Sequence, residues 1–323
     1  MEADGERAMN PASFRLLPIF EDRLRIGRLG IPLALSYGDT RGSGHSRIQL
    51  KNPIALTAAG PISLDLTLKS GQVFHWDQHP DGSWTGLIGE TPIRVTGKDG
   101  GLQVPKGLES LASHYFALDH PLEKIYAAFP VDPMSTEALA LCRGMRIIRQ
   151  PRWECLATFI TSSMKQVAHI RGMSLALRKS FGRRVGQSYC YPSAADLAGT
   201  SEADLRACGL GYRAQNLLET ARLIARGEID LEALARLETP ALRRALVSLP
   251  GVGVKVANCV LLFGYERLDA VPIDVWIHRV LIAMRRGRGG TAAQLARYAD
   301  KKLGPYAGYV QQYLFHRARV SSK

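Results

Sequence analysis

Residues 249–274 read LPGVGVKVANCVLLFGYERLDAVPID, and they constrain the fold more than any other stretch of the chain. Gly251 and Gly253 predict a tight turn that leads into an apolar helix. The free N–H groups and partial positive charge at the start of such a helix form a natural seat for a phosphate group. Lys255 lies just inside the helix, and Asp274 follows after a short turn. The chain can therefore fold back and bring the two side chains together.

Each of these residues also has a purely structural interpretation. The glycines of a helix–turn–helix joint often only cap two helices, and a lysine in the first turn is often a solvated charge. Asp274 is a favoured N-cap for a helix that begins at Val275. A capping role and a catalytic role for Asp274 are compatible, so the rest of the chain has to supply further evidence.

The charge of the chain indicates a polyanionic partner. It has 42 Lys and Arg against 29 Asp and Glu, a formal net charge of +13 and a pI near 9.7. This balance favours nucleic acid or an anionic membrane surface without distinguishing between them. No apolar run is long enough to span a bilayer, and the N-terminus lacks a secretory signal pattern. We therefore expect a cytoplasmic protein, at the nucleoid of a prokaryote or in the nucleus of a eukaryote.

Cysteine usage argues against a disulfide framework or a zinc site. The number of cysteines is odd, they are widely spaced, and no CxxC pair exists. The five positions are Cys142, Cys155, Cys190, Cys208 and Cys259. We predict no cofactor and no side-chain metal site.

The hydrophobic pattern predicts an α+β protein with a small sheet domain followed by a helical body. Residues 1–60 are interpreted as an N-terminal extension, either partly disordered or outside the main fold. The alternation of Ile62, Leu64, Leu66 and Leu68 predicts a strand, and short segments up to about residue 105 complete an antiparallel sheet. Helical patterns begin at about residue 107. The predicted domains are 61–125 for the sheet domain and 126–323 for the helical domain.

Four segments, in this order along the chain, resemble the helix-hairpin-helix DNA glycosylases, and among them the 8-oxoguanine DNA glycosylases. The similarity runs from about Leu64 to about Phe315. Related branches of the superfamily carry a four-cysteine iron–sulfur cluster after the catalytic aspartate, which this chain cannot build because no cysteine follows Cys259. The segments are SGQVFHW (70–76), IIRQPRWECLATFITSS (147–163), GLGYRA (209–214), and LPGVGVKVANC with AVPIDV.

The resemblance implies a catalytic pair and a phosphate seat. Lys255 corresponds to the nucleophile that attacks C1′ of the damaged nucleotide, and Asp274 to the carboxylate that stabilises the cationic sugar. A lysine amine is mostly protonated at neutral pH, so burial among cationic groups and apolar walls would be needed to free its lone pair. Gly251 and Gly253 form the hairpin that receives the phosphate. The family permits a cation on the hairpin carbonyls, although no side chains here require one.

A pocket for the flipped base is implied by four further residues. Gly71 corresponds to the glycine whose carbonyl accepts a hydrogen bond from N7–H, a donor that 8-oxoguanine has and guanine lacks. Cys259 and Phe315 correspond to the residues that sandwich the base. Gln311 corresponds to the amide that reads the Watson–Crick edge, and it shares a helix face with Phe315. By periodicity alone, Cys259 and Phe315 would be core residues, and Gly71 a turn or bulge.

The match to the family is weaker on the opposite strand. Met164 and His169 stand where eukaryotic members place the asparagine and arginine that fill the gap and read the orphaned cytosine. Tyr212 and Arg213 keep the neighbouring aromatic wedge and the remaining cytosine contact. An apolar Met164 still fills a void but cannot form the hydrogen bonds of asparagine. We therefore predict weakened discrimination for cytosine. Trp276 replaces a histidine of many members, with its role left open.

The resemblance implies a base-excision repair glycosylase with abasic-site lyase activity that acts on duplex DNA containing 8-oxoguanine. An alkylpurine glycosylase of the same superfamily is one alternative, but those enzymes usually lack the lysine. A non-catalytic DNA-binding protein is another, and the presence of both Lys255 and Asp274 argues against it. We expect a monomer that acts on DNA and has no membrane partner.

Overall fold

The computed structural model describes residues 52–163 and 165–321. Residues 1–51 lie outside this part of the chain, so their predicted extension character stays a prediction. The predicted boundary between the sheet domain and the helical domain likewise stays a prediction. The described residues combine an antiparallel sheet with a larger set of helices, which confirms the predicted α+β class.

The five-stranded sheet is antiparallel throughout, in the order β1–β5–β4–β3–β2 for strands numbered along the chain. The β4–β5 turn passes through Asp99 and Gly100, both with positive φ (49° and 76°), which is typical of a tight hairpin. β3 and β4 lie within the region for which the sequence predicts an antiparallel sheet. The strands are β1 (Pro53–Leu56), β2 (Asp77–Gln78), β3 (Trp84–Ile88), β4 (Thr91–Lys98) and β5 (Gly101–Pro105).

Helices make up most of the remaining described chain, and a short hairpin of β6 (Arg184–Val185) and β7 (Ser188–Tyr189) interrupts them. The helices are α1 (Leu64–Lys69), α2 (Glu109–Tyr115), α3 (Leu122–Ala127), α4 (Pro133–Cys142), α5 (Arg152–Ser162), α6 (Val167–Phe181), α7 (Ala194–Ala198), α8 (Glu202–Ala207), α9 (Arg213–Ala225), α10 (Leu231–Leu234), α11 (Thr239–Val247), α12 (Val254–Gly264), α13 (Val275–Met284), α14 (Ala292–Lys302) and α15 (Ala307–Val320).

The predicted strand at residues 62–68 is wrong, because this segment forms α1. Ser63 caps the helix by accepting a hydrogen bond from the Leu66 N–H at 3.3 Å. Asp65 and Lys69 then pair across one turn at 3.0 Å. Four alternating apolar residues fit a strand and a short helix equally well. Here the Ser63 cap and the Asp65–Lys69 ion pair stabilise the helix.

Two further sequence predictions need correction. Residues 70–76 fall in the region predicted as antiparallel sheet but lie outside the strands, and Gly71 has φ +88°. A positive φ breaks strand geometry, so this segment is a turn that leads into β2. β1 lies inside the predicted 1–60 extension but joins the sheet, with Pro53 opposite Pro105. The partner strand of β1 is distant in sequence, and local pattern does not reveal such pairing.

The buried apolar residues form two clusters. The first covers the sheet with α1 and α2, and includes Ile93 and Val104. The second fills the helical part, where α12 packs against both α5 and α11 and α15 packs against α4 and α13. This packing fixes the starts of α12 and α13 relative to α15. None of the helices in the described chain is long and apolar enough to cross a membrane.

Candidate active site

The hairpin between α11 and α12 presents an open helix start. Gly251 has φ +76°, and a Cβ at this position would lie 2.7 Å from Cβ of Asn216 on α9, so only glycine fits. Gly253 is the N-cap of α12 and is exposed, with no atom within 4 Å of a Cβ placed there. The backbone of this turn can therefore approach a phosphate closely, as the sequence predicts.

Lys255 is half-buried on the first turn of α12, against an apolar wall. Its ammonium nitrogen lies 5.5 Å from the ring centroid of Phe159 on α5. That ring stacks on Phe263 with centroids 5.5 Å apart and planes at 12°. Cys259 is buried one turn further along α12. Burial raises the pKa of the Cys259 thiol, and Lys255 opposes the rise. The wall thus combines aromatic carbon with a thiol beside the amine.

Asp274 is the N-cap of α13, and its side chain accepts a hydrogen bond from the Ile277 N–H at 2.8 Å. Burial raises the pKa of the Asp274 carboxyl, while that N–H and the Lys255 ammonium act in the opposite direction. The structural interpretation of Asp274 as a cap is therefore confirmed. The fold also brings its carboxylate within electrostatic reach of Lys255, so the cap leaves the predicted catalytic role open to it.

A second group of predicted residues meets at α15. A Cβ placed on Gly71 would lie 3.4 Å from Cε1 of Phe315, so the turn and the ring are in contact range. Gln311 lies one helical turn before Phe315 and is only 3% exposed. Its Oε1 is buried and has no hydrogen-bond partner. An unpaired buried acceptor lowers the stability of the folded protein. Such a group is typical of a site where a ligand supplies the missing hydrogen bond.

The predicted opposite-strand residues are arranged differently. Tyr212 is 57% exposed, and the guanidinium carbon of Arg213 lies 4.3 Å from the centroid of its ring. Arg213 itself is 5% exposed and donates from Nε to the Ser163 carbonyl at 2.8 Å and from Nη1 to the Leu210 carbonyl at 3.3 Å. His169 is exposed on the first turn of α6, and Met164 lies outside the described residues.

Sequence reasoning did not identify several side chains that shape the site. Phe159 forms the wall beside Lys255. Arg319 stacks over Phe315 at 5.6 Å from the ring centroid. Its position could have been inferred by extending the face of Gln311 and Phe315 by one more turn. The guanidinium carbon of Arg279 lies over the Trp276 ring, 5.6 Å from the ring centroid.

No group of three or more His, Cys, Asp and Glu side chains arranged to hold a metal ion is found in residues 52–163 and 165–321. The groups that the fold brings together at the site are an amine, a carboxylate and backbone carbonyls. This set suits attack by a nitrogen nucleophile on a carbon that develops positive charge.

Comparison with known proteins identifies the family. Residues 54–156 match the model of the 8-oxoguanine DNA glycosylase N-terminal domain, and residues 158–305 match the HhH-GPD superfamily of base excision DNA repair proteins. The chain is 29% identical over 299 residues to a probable N-glycosylase/DNA lyase of Methanothermobacter thermautotrophicus, covering 81% of this chain and 95% of that protein.

Solved structures support the same assignment. MBOgg1 in complex with a low-affinity DNA ligand is 30% identical, with a TM-score of 0.79 over 84% of this chain and 96% of that one. The 8-oxoguanine glycosylase/lyase of Clostridium acetobutylicum, bound to double-stranded DNA with cytosine opposite 8-oxoG, shares the fold at 24% identity, a TM-score of 0.79, and coverage of 85% and 99%. The chain therefore belongs to the 8-oxoguanine DNA glycosylase family, within the HhH-GPD superfamily of base excision DNA repair proteins.

Proposed function

We propose that the chain excises 8-oxoguanine from duplex DNA with Lys255 as the nucleophile, and then cleaves the strand as an abasic-site lyase. The observation that carries this proposal is the position of Lys255. It stands at the exposed start of α12, against the Phe159 ring and within electrostatic reach of the half-buried Asp274 carboxylate. An amine at this place is open to an incoming sugar, and the carboxylate beside it can stabilise positive charge that develops there.

The proposed reaction begins with a damaged nucleotide flipped out of the stack. The Lys255 amine attacks C1′, the bond from C1′ to N9 breaks, and the base leaves with the electron pair and a proton. The Asp274 carboxylate stabilises the positive charge that develops on the sugar. The sugar–lysine adduct opens to a Schiff base. Loss of a C2′ proton then expels the 3′ phosphate and nicks the strand.

Lesion recognition is proposed to depend on acceptors that have no partner in the free protein. The Gly71 carbonyl accepts the N7–H of 8-oxoguanine, whereas guanine would place its N7 acceptor against this carbonyl. Gln311 meets the Watson–Crick edge with its free Oε1. Phe315 and Cys259 close on the two faces of the base, and stacking on an aromatic ring contributes roughly 1–3 kcal/mol per base.

Two finer points belong to the same proposal. Opposite-base selection is weak, because the predicted cytosine contact Arg213 already donates to backbone carbonyls. The chain acts as a monomer on DNA, since the large apolar side chains exposed in the described residues are scattered over many elements. Light scattering at increasing protein concentration tests the second point, and a constant mass of two chains would contradict it.

Borohydride trapping on a duplex that contains 8-oxoguanine tests the function. We expect wild-type protein to form a covalent adduct and Lys255→Gln to form none, with excision reduced by about 10³-fold or more. Lys98→Gln is the matched control, since Lys98 is exposed at the β4–β5 turn. Excision without an adduct would indicate an aspartate-only alkylpurine glycosylase. Binding without excision would indicate a non-catalytic DNA-binding protein.

A further inference from the structure

Distant side chains hold the turn that carries Gly71. We call residues 69–72 the Gly71 turn. The Lys69 carbonyl accepts a hydrogen bond from Nη2 of Arg319, and the Ser70 carbonyl accepts one from Nε2 of Gln312 at 3.2 Å. Both donors belong to α15. On the other side of the glycine, the Gln72 carbonyl accepts from Nε2 of Gln150 at 2.7 Å.

The Gly71 carbonyl is the exception in this turn. Within residues 52–163 and 165–321 it accepts no hydrogen bond, although the carbonyls before and after it each accept one. The backbone of a glycine at φ +88° has access to other conformations at little cost. A free carbonyl in such a backbone would not keep one direction unless its neighbours were fixed.

Arg319 contacts both sides of the proposed lesion pocket. Its Nη1 lies 3.2 Å from a Cβ placed on Gly71, and its guanidinium lies over the Phe315 ring. Its Nη2 is also 3.4 Å from Nδ1 of His316. No carboxylate of the described residues pairs with Arg319, and burial lowers the pKa of its guanidinium. A partly buried arginine without an acidic partner is costly, so packing alone does not explain its presence.

We infer that Arg319 and Gln312 are positioning residues for lesion selection, because they fix the Lys69 and Ser70 carbonyls and thereby the direction of the Gly71 carbonyl. This inference rests on the proposed function. A carbonyl held in one direction bonds N7–H of 8-oxoguanine and stays opposed to N7 of guanine. A carbonyl that is free to turn loses the hydrogen bond to N7–H of 8-oxoguanine, because hydrogen bonds weaken steeply outside about 2.7–3.2 Å and away from good alignment. It also relieves the repulsion from N7 of guanine.

The test separates base recognition from the chemistry of Lys255. Three quantities are measured for each variant: single-turnover excision of 8-oxoguanine, cleavage of a preformed abasic site, and affinity for a tetrahydrofuran abasic analogue. The second and third need no damaged base. Arg319→Leu is expected to lower excision about tenfold, with abasic-site cleavage and tetrahydrofuran affinity within about twofold of wild type. Arg319→Lys is expected to be intermediate, since it keeps the cation but loses the planar fork.

Arg317→Leu is the matched control. Arg317 lies on the same helix but pairs with Glu137 of α4, away from the Gly71 turn. It should behave as wild type in all three measurements. Gln312→Met is a second, independent variant that removes the Ser70 contact and keeps the volume, and it should show the selective loss even if Arg319→Leu folds poorly.

Three outcomes contradict the inference. If Arg319→Leu and Gln312→Met both excise 8-oxoguanine at the rate of Arg317→Leu, the positioning role is wrong while the proposed function stands. The same conclusion follows if excision and abasic-site cleavage fall together in properly folded variants, because the loss is then not specific to the base. If wild-type protein cleaves abasic sites but does not excise 8-oxoguanine, the proposed function and the inference both fail.

Discussion

Two hydrogen-bond acceptors on the proposed lesion side of the site have no partner in the described chain. On the proposed opposite-strand side, by contrast, the buried guanidinium of Arg213 already donates to backbone carbonyls. Gln311 keeps a free Oε1 inside the protein, and the Gly71 carbonyl faces no donor of the described chain. Arg213, equally buried, donates to the carbonyls of Ser163 and Leu210. An acceptor without a partner is stabilised only when a ligand places a hydrogen-bond donor against it. Three N–H groups of Arg213 already donate to these carbonyls, which leaves its guanidinium less to gain from a base, so the two sides should differ in selectivity.

Asp274→Asn should produce the largest effect on the lesion side. Asparagine keeps the N-cap but removes the negative charge, so excision should fall by about 10²- to 10³-fold while the free energy of unfolding changes by less than about 1 kcal/mol. Single-turnover kinetics and urea unfolding measure the two quantities. Asp274→Ala should lose the cap as well, and about 1 kcal/mol of stability with it. A fully active Asp274→Asn would show that this residue is only a cap.

Gln311→Leu should separate function from stability. Removal of an unpaired buried acceptor should leave the free energy of unfolding unchanged or raise it by about 1 kcal/mol. The excision rate should fall about tenfold or more, because the Watson–Crick edge of the base loses its hydrogen-bond partner. Gln312→Leu is a useful contrast, since Gln312 has a hydrogen bond to lose. A loss of stability in Gln311→Leu as large as that in Gln312→Leu would assign Gln311 a structural role.

The smallest effect is expected at Arg213. Wild-type excision rates opposite C, A, G and T should lie within about tenfold of each other, and Arg213→Ala should lower all four by about threefold, because it releases the Ser163 carbonyl that precedes Met164. The same duplexes with a single changed base supply the measurement. A strong preference for cytosine in the wild type, lost selectively in Arg213→Ala, would show that Arg213 reads the opposite base.

Much of the lesion side was predictable, because its signals are local or depend on helix periodicity. The turn at Gly251, the amine at Lys255 and the cap at Asp274 occupy one continuous stretch of sequence. Gln311 and Phe315 share a face simply because they are one helical turn apart. The family resemblance added Gly71, and the structure places this glycine in contact range of Phe315.

The conformation of the Gly71 turn was not predictable from its own residues. Its carbonyls are bonded by side chains 242 and 250 positions away in sequence, and no local pattern records such contacts. The strand predicted there was wrong for this reason. The pairing of β1 with β5 was missed for a similar one, since strand partners are chosen over long range. The burial of Arg213 likewise depends on the end of α5, which the GLGYRA motif does not contain.

The contact between Gly251 and Asn216 has a mechanical consequence. Asn216 lies one turn into α9, the helix whose start carries Tyr212 and Arg213, and it touches the hairpin too closely to admit a methyl group at position 251. The proposed phosphate hairpin and the start of α9, which carries the proposed opposite-strand residues, are therefore packed directly against each other. A side chain larger than glycine at position 251 would push the two apart.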